Sequence, residues 1–148
     1  MGKADLLSNI LPGGRGVWIP IDHGVSDYPV EGLKDIESTI KSLISAGVDA
    51  IIAHKGVVGY YHKLCENTKT SMIVHLSAST RHGGSESSNK VLVGSVDEVR
   101  KRGGSGVSCQ VNMGSEKEPE MMERMGEISR QAVLEGLPMF GMVYARGP

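Results

Sequence analysis

Five apolar runs in this sequence each end on side chains that can bind a ligand or move a proton. These side chains are Asp22, His23, His54, Lys55, His75, Asn112, Tyr144 and Arg146. Carboxylates and imidazoles are common general acids and bases, and a lysine shielded from water can form a Schiff base. A guanidinium can hold a phosphate or carboxylate through two hydrogen bonds. Tyr144 suits either a core position or a general acid. The polar side chains at the ends of the five apolar runs therefore predict a ligand site.

Each of these side chains also has a purely structural interpretation. Asp22 precedes a glycine-containing turn and could cap it. His23 and His54 could be partly buried imidazoles with ordinary hydrogen bonds, and His75 could simply pack inside the protein. Lys55 stands beside a glycine at the start of a loop, where a lysine is usually solvated. A ligand site is favoured because all five apolar runs end on polar side chains, not because of any one of these side chains.

The elements that must position these side chains alternate along the chain. The apolar runs predict five short strands buried on both faces, over 16–21, 48–53, 71–76, 105–111 and 137–144. Helical spacing of apolar residues predicts helices over 31–47, 57–67, 95–103 and 118–136. Residues 1–15 are expected to form a helical lead-in to a single domain. Strict alternation predicts a parallel sheet, whose carboxyl edge is where ligands bind.

Two architectures fit this alternation, a (β/α) barrel and a doubly wound sheet. No G-x-G-x-x-G follows the first strand, which argues against a dinucleotide-binding domain. A flavodoxin-like domain stays open, with Asp22 as its one acidic signal at the first strand end. The hydrophilic stretch 77–89 is interpreted as an active-site loop.

Composition excludes several function classes. The 148 residues carry 16 basic and 17 acidic side chains, a net charge of −1, so we expect no nucleic acid or anionic membrane as partner. No apolar run is long enough to span a bilayer. Cys65 and Cys109 lack zinc-site spacing and are interpreted as free thiols of a cytoplasmic protein.

Six stretches carry a family resemblance: IPIDHGVSDYPVEGL, HKG, VHLSAST, NKVLVGSVDEV, VNMGSE and MVYARGP. In this order they resemble the archaeal class I aldolase family, from about residue 10 onward. The resemblance implies a TIM (β/α)8 barrel and Schiff-base chemistry that needs no metal and no cofactor. It implies that Asp22 is the general base and Tyr144 the proton donor. It also implies the substrate-contacting residues Asp22, His23, Gly24, Val25, Ser26, Tyr144, Ala145 and Arg146.

The residues after Asp-His-Gly are more similar to one branch of this family, a transaldolase-type synthase. That branch implies transfer of a unit from a ketose phosphate to L-aspartate semialdehyde, on an alternative route to 3-dehydroquinate and the aromatic amino acids. A fragment of a class I fructose-bisphosphate aldolase and a non-catalytic sugar-phosphate-binding subunit remain alternatives. His54, Lys55, His75 and Asn112 are secondary site candidates.

The resemblance also raises a question of completeness. The family carries its Schiff-base lysine on the sixth strand, whereas about five strands are predicted here. Five strands cannot close an eight-stranded barrel, and the first and fifth would have unpaired edges. We therefore expect a truncated barrel that is inactive alone, and that forms a homo-oligomer or associates with a C-terminal half.

Overall fold

A five-stranded parallel sheet organises the computed structural model, which describes residues 1–146. Gly147 and Pro148, the end of the MVYARGP stretch, lie outside the described residues. The strands in chain order are β1 Trp18–Pro20, β2 Ala50–His54, β3 Ser71–His75, β4 Ser77–Ala78, β5 Val91–Leu92, β6 Gly106–Met113 and β7 Met139–Ala145. The short strands β4 and β5 form a separate antiparallel pair. The five predicted strands are confirmed, and the β4–β5 pair is an addition.

The order of the main sheet, β1-β2-β3-β6-β7, places each strand beside the next one along the chain. All four pairings are parallel, and one row of the register joins His54, His75 and Ser108. A doubly wound sheet reverses direction at a switch point, with later strands on the other side of the first. The sequential order is that of a barrel wall, so the flavodoxin-like alternative is wrong.

The helices are α1 Lys3–Ile10, α2 Ile36–Ser45, α3 Lys55–Tyr61 and α4 Glu118–Leu134. The start predicted for α2, residue 31, is wrong because Asp35 caps the helix, accepting the Ser38 N–H at 3.0 Å. The helix predicted over 95–103 is also wrong. The chain there forms two 3₁₀ turns, Val96–Glu98 and Arg100–Arg102, and leaves them at Gly103 with φ of 83°.

Two apolar layers hold the sheet, one on each face. On the outer face, side chains such as Ile51, Val74 and Val107 pack against helical residues such as Ile40 and Ile128. Strand side chains alternate between faces, so the residues between them point inward. No helix among residues 1–146 is long and apolar enough to cross a membrane.

The inner face is apolar at the amino ends of the strands and polar at their carboxyl ends. Ile52 and Ile73 pack with Ile10 of α1. The Trp18 indole N–H donates to the Ile10 carbonyl at 2.7 Å, and its ring meets Phe140 edge-on at 4.6 Å between centroids. Helix α1 therefore covers the amino-terminal part of the inner face, opposite the polar strand ends.

Candidate active site

His75 ends β3 and is 1% exposed. Its Nδ1 lies 2.7 Å from Ser108 Oγ and its Nε2 lies 3.3 Å from Ser77 Oγ. Ser77 Oγ already accepts the Gln110 N–H, so its own proton can point to Nε2. We therefore assign the ring proton of His75 to Nδ1, which donates to Ser108. Burial lowers the pKa of His75 to about 4, so the ring is neutral at pH 7.

Asp22 lies just after β1, at the start of the 3₁₀ turn Asp22–Gly24. Its Oδ2 is 3.8 Å from His75 Nε2, which is too long for a hydrogen bond. Since the His75 ring is neutral, this contact is not an ion pair at pH 7. Oδ1 is buried and has no hydrogen-bond partner within residues 1–146. A buried acceptor without a partner is costly, and this one is available to take a proton from a ligand.

His54 ends β2 on the same inner face. Its ring lies edge-on to that of His75, with 5.5 Å between centroids, and its Nδ1 is 3.2 Å from the His75 carbonyl oxygen. This geometry makes Nδ1 the donor. Burial lowers the pKa of His54, while the negative charge of Asp22 opposes the shift. The carboxylate therefore has two imidazoles beside it, both biased towards the neutral form.

Tyr144 and Asn112 lie in register on the neighbouring strands β7 and β6. Asn112 is buried; its side chain accepts a hydrogen bond from the Gln110 amide and donates one to the Ser88 carbonyl, both at 2.7 Å. Tyr144 is 44% exposed, and the Arg146 guanidinium lies 5.1 Å from its ring centre, a cation–π contact. The phenol therefore stands beside a cation at the rim of the sheet.

Two of the cavities at this rim contain most of the predicted site residues. One, of about 290 Å³, is lined by Ser26, Asn112 and Arg146 together with residues of the loop after β4. The other, of about 200 Å³, is lined mainly by apolar groups, with Asp22 and His54 on its wall beside Gly24 and Val25. Most of the predicted site residues thus line one of two neighbouring cavities. Within the described part of the chain, no cluster of three or more His, Cys, Asp or Glu side chains could hold a metal ion.

Five predicted residues line neither cavity: His75 and Tyr144, described above, and His23, Lys55 and Ala145. His23 is exposed. Lys55 begins α3, and its Nζ is 3.2 Å from Glu98, which also binds Arg102 at 2.6 Å. The Glu98 pKa falls to about 2, chiefly because its side chain accepts the Ser95 N–H. Ala145 is exposed next to its register partner on β6.

Several polar residues that line the site were not among the residues predicted from sequence, above all Lys90 and Arg81. Lys90 precedes β5, and the β4–β5 pair brings it back over the rim. Burial lowers the pKa of Lys90, against the opposing charges of Asp22 and Asp27. The hydrophilic character of 77–89 was the one available signal, and residues of this loop do line the larger cavity.

Sequential parallel strands with acid–base side chains at their carboxyl ends define a partial (β/α) barrel of the kind that enzymes use. The chain belongs to the DeoC/LacD family of aldolases, whose family model matches residues 17–148.

Two curated relatives extend this result. The 2-amino-3,7-dideoxy-D-threo-hept-6-ulosonate synthase of Halobacterium salinarum is 34% identical over 147 residues, covering 99% of this chain and 54% of the relative. The 2-amino-3,7-dideoxy-D-threo-hept-6-ulosonate synthase 1 of Archaeoglobus fulgidus is 35% identical over 147 residues, covering 99% of this chain and 55% of the relative. The chain thus spans about half the length of the curated relatives it matches.

A solved structure supports the fold. An archaeal fructose-1,6-bisphosphate aldolase, with its catalytic lysine covalently bound to the carbinolamine intermediate of the substrate, superposes with a TM-score of 0.77. The match covers 93% of this chain and 55% of that chain, at 24% identity. The five-stranded wall is therefore part of the same barrel architecture.

Proposed function

We propose that this chain supplies the general base, the proton donor and part of the substrate-binding surface of a Schiff-base aldolase of the transaldolase type. Asp22 is the base and Tyr144 the donor. The segments 22–26 and 144–146 contact the substrate. The observation that carries the proposal is the buried Asp22 Oδ1 without a hydrogen-bond partner in residues 1–146, at the carboxyl edge of a barrel wall.

The geometry supports these roles. Aldol cleavage of a ketose needs a base that takes the hydroxyl proton as the carbon–carbon bond breaks, and an acid that protonates the carbon left behind. Oδ1 of Asp22 can accept this proton, since neither neighbouring imidazole donates a hydrogen bond to it. Tyr144 carries a phenolic hydroxyl at the same rim, exposed to an incoming ligand.

The substrate pair we favour is a ketose phosphate and L-aspartate semialdehyde, on a route towards 3-dehydroquinate and the aromatic amino acids. Relatives at 34% and 35% identity bear the name of the hept-6-ulosonate synthase, whereas the aldolase structure is 24% identical. This difference favours the synthase over a fructose-bisphosphate aldolase. A sugar-phosphate-binding subunit without activity is the second candidate, supported by the cationic lining of the larger cavity.

We further propose that the Schiff-base lysine comes from outside these 148 residues. Lys55 is held by Glu98 at 3.2 Å, away from both cavities. Among residues 1–146, β1 pairs only with β2 and β7 only with β6, so both outer edges of the wall can accept further strands. A C-terminal half, supplied as a separate polypeptide or by a longer chain, would complete the barrel.

The test mixes this chain with the C-terminal part of the Archaeoglobus fulgidus relative, which the chain does not cover. Cleavage of a ketose phosphate and transfer to L-aspartate semialdehyde are measured. We expect activity in the mixture and a roughly 10²–10⁴-fold lower rate for Asp22→Asn, as for loss of a general base. The matched control is Asp97→Asn, at an exposed position, which keeps the full rate.

Two results would count against the proposal. An Asp22→Asn mixture with the wild-type rate would remove Asp22 from the mechanism. A mixture that is stabilised by sugar phosphate but shows no turnover would favour the non-catalytic candidate.

A further inference from the structure

Lys90 is a cation at the rim that the acid–base chemistry does not use. Its side chain is half-buried on the wall of the larger cavity, and its Nζ donates to Ser26 Oγ at 3.3 Å. In the part of the chain that the structure describes, no carboxylate oxygen forms an ion pair with this Nζ within 4.0 Å. Burying a lysine costs free energy unless an anion compensates it. Lys90 thus has the environment of a ligand-binding cation.

The backbone of Lys90 is held in place by α4. Arg124 donates to the Asn89 side-chain oxygen at 2.7 Å and to the Lys90 carbonyl at 2.9 Å. The Lys90 N–H points to Met121 Sδ at 3.3 Å. A fixed backbone favours a binding residue, because less entropy is lost when the ligand binds.

Two further cations line the same cavity, Arg81 and Arg146. Arg81 is held by its guanidinium, which donates to the Tyr28 carbonyl at 2.9 Å, and by its backbone N–H, which donates to the Ser26 carbonyl at 3.1 Å. The lining contains one carboxylate, Asp27, and otherwise serine hydroxyls and side-chain amides. A cavity of about 290 Å³ with three cations and hydroxyl donors is suited to a phosphate or carboxylate group.

We propose that Lys90, with Arg81 and Arg146, forms an anion subsite that binds an oxyanion group of the substrate. The group is either the phosphate of the ketose phosphate or the carboxylate of the acceptor aldehyde; both are oxyanions that an ammonium ion can bind as a point charge. The assignment to these substrates rests on the proposed function. Lys90 acts here in binding, so its loss raises KM more than it lowers kcat.

The test is equilibrium titration of this chain with inorganic phosphate and, separately, with L-aspartate. We expect saturable binding of at least one of the two anions, and the anion that binds more tightly identifies the source. Lys90→Met, which keeps an apolar stem, should weaken that binding roughly tenfold or more, the value of a hydrogen bond to a charged group. Lys90→Arg keeps the charge and should retain binding. Lys101→Met, at an exposed position, is the matched control and should bind as wild type.

A second measurement needs no variant. Acetylation of the wild-type chain, mapped by mass spectrometry, should be several-fold slower at Lys90 when the bound anion is present, with no change at Lys101. Absence of saturable binding of either anion, unchanged binding by Lys90→Met, or equal acetylation of Lys90 with and without the anion would each overturn the subsite. None of these measurements needs turnover. A chain that binds anions through Lys90 and yet supports no cleavage would contradict the proposed function alone.

Discussion

The stability of this chain should depend on pH through His75. Burial lowers the pKa of this ring from 6.5 to about 4 in the folded protein, whereas the unfolded chain keeps a value of about 6.5. Between these two values the unfolded chain binds one more proton than the folded chain. The free energy of unfolding therefore falls as the pH falls through this window. Above pH 6.5 both states carry a neutral ring, and the contribution is fully present.

The size of this effect is set by the two pKa values. One pKa unit corresponds to about 1.4 kcal/mol, so the difference between 6.5 and about 4 amounts to about 3 kcal/mol lost on acidification. Burial is the largest cause, and the Asp22 carboxylate acts in the opposite direction, because it favours the protonated ring. His54, whose pKa burial also lowers, adds to the loss.

The assay is urea unfolding at a series of pH values from neutral to about 4, the folded-state value. His75→Asn keeps an amide donor for Ser108 Oγ and removes the titrating ring, so it should lose about 3 kcal/mol less than wild type over this window. His82→Asn, in the exposed loop, is the control and should follow the wild-type curve. Parallel curves for wild type and His75→Asn would refute the assignment of a buried, neutral His75.

Three further predictions concern the core and the proton donor. Ile73 is fully buried on the inner face, so Ile73→Ala should lower the free energy of urea unfolding by about 2–5 kcal/mol. A Cβ at Gly104 would lie 2.6 and 2.7 Å from valine methyl groups, so Gly104→Ala should cost about 1–3 kcal/mol; Gly83→Ala, in open space, should cost much less. Tyr144→Phe should slow cleavage in the mixture with the C-terminal part roughly 10²-fold. Because Tyr144 is 44% exposed, this change should leave the melting temperature of the protein unchanged. These expectations would be contradicted if Ile73→Ala or Gly104→Ala were as stable as the wild type. They would also be contradicted if Tyr144→Phe cleaved the substrate at the full rate.

The parallel wall was predictable because strands buried on both faces are nearly continuous apolar runs, and all five runs became strands. The two 3₁₀ turns that replace the helix predicted over 95–103 were not, because Ser95 and Glu98 form a capping pair of the kind that begins a helix. A capping pair indicates where a helix begins, whereas the length of the helix depends on the residues after the cap. Here Gly103 adopts a positive φ and Gly104 packs tightly against valines, so the chain turns away after two 3₁₀ turns.

The residues of the candidate site were also only partly predictable from the sequence. Asp22, His54 and His75 could be placed together from sequence, because the carboxyl ends of parallel strands meet at one edge. Lys55 also follows a strand, but it is the first residue of α3 and pairs with a glutamate 43 positions further on, a contact that no local pattern contains. Lys90 reaches the cavity only through two antiparallel strands of two residues each. Strands that short have no periodicity to detect.

Borohydride trapping tests most directly whether this chain provides the acid–base side of a Schiff-base site and not its lysine. The chain is mixed with the C-terminal part of the Archaeoglobus fulgidus relative and a ketose phosphate, reduced, and mapped by peptide mass spectrometry. We predict a reduced adduct on a lysine of the C-terminal part, and unmodified Lys55 and Lys90. An adduct on Lys55 or Lys90 would contradict the account, because the imine would then form on this chain itself.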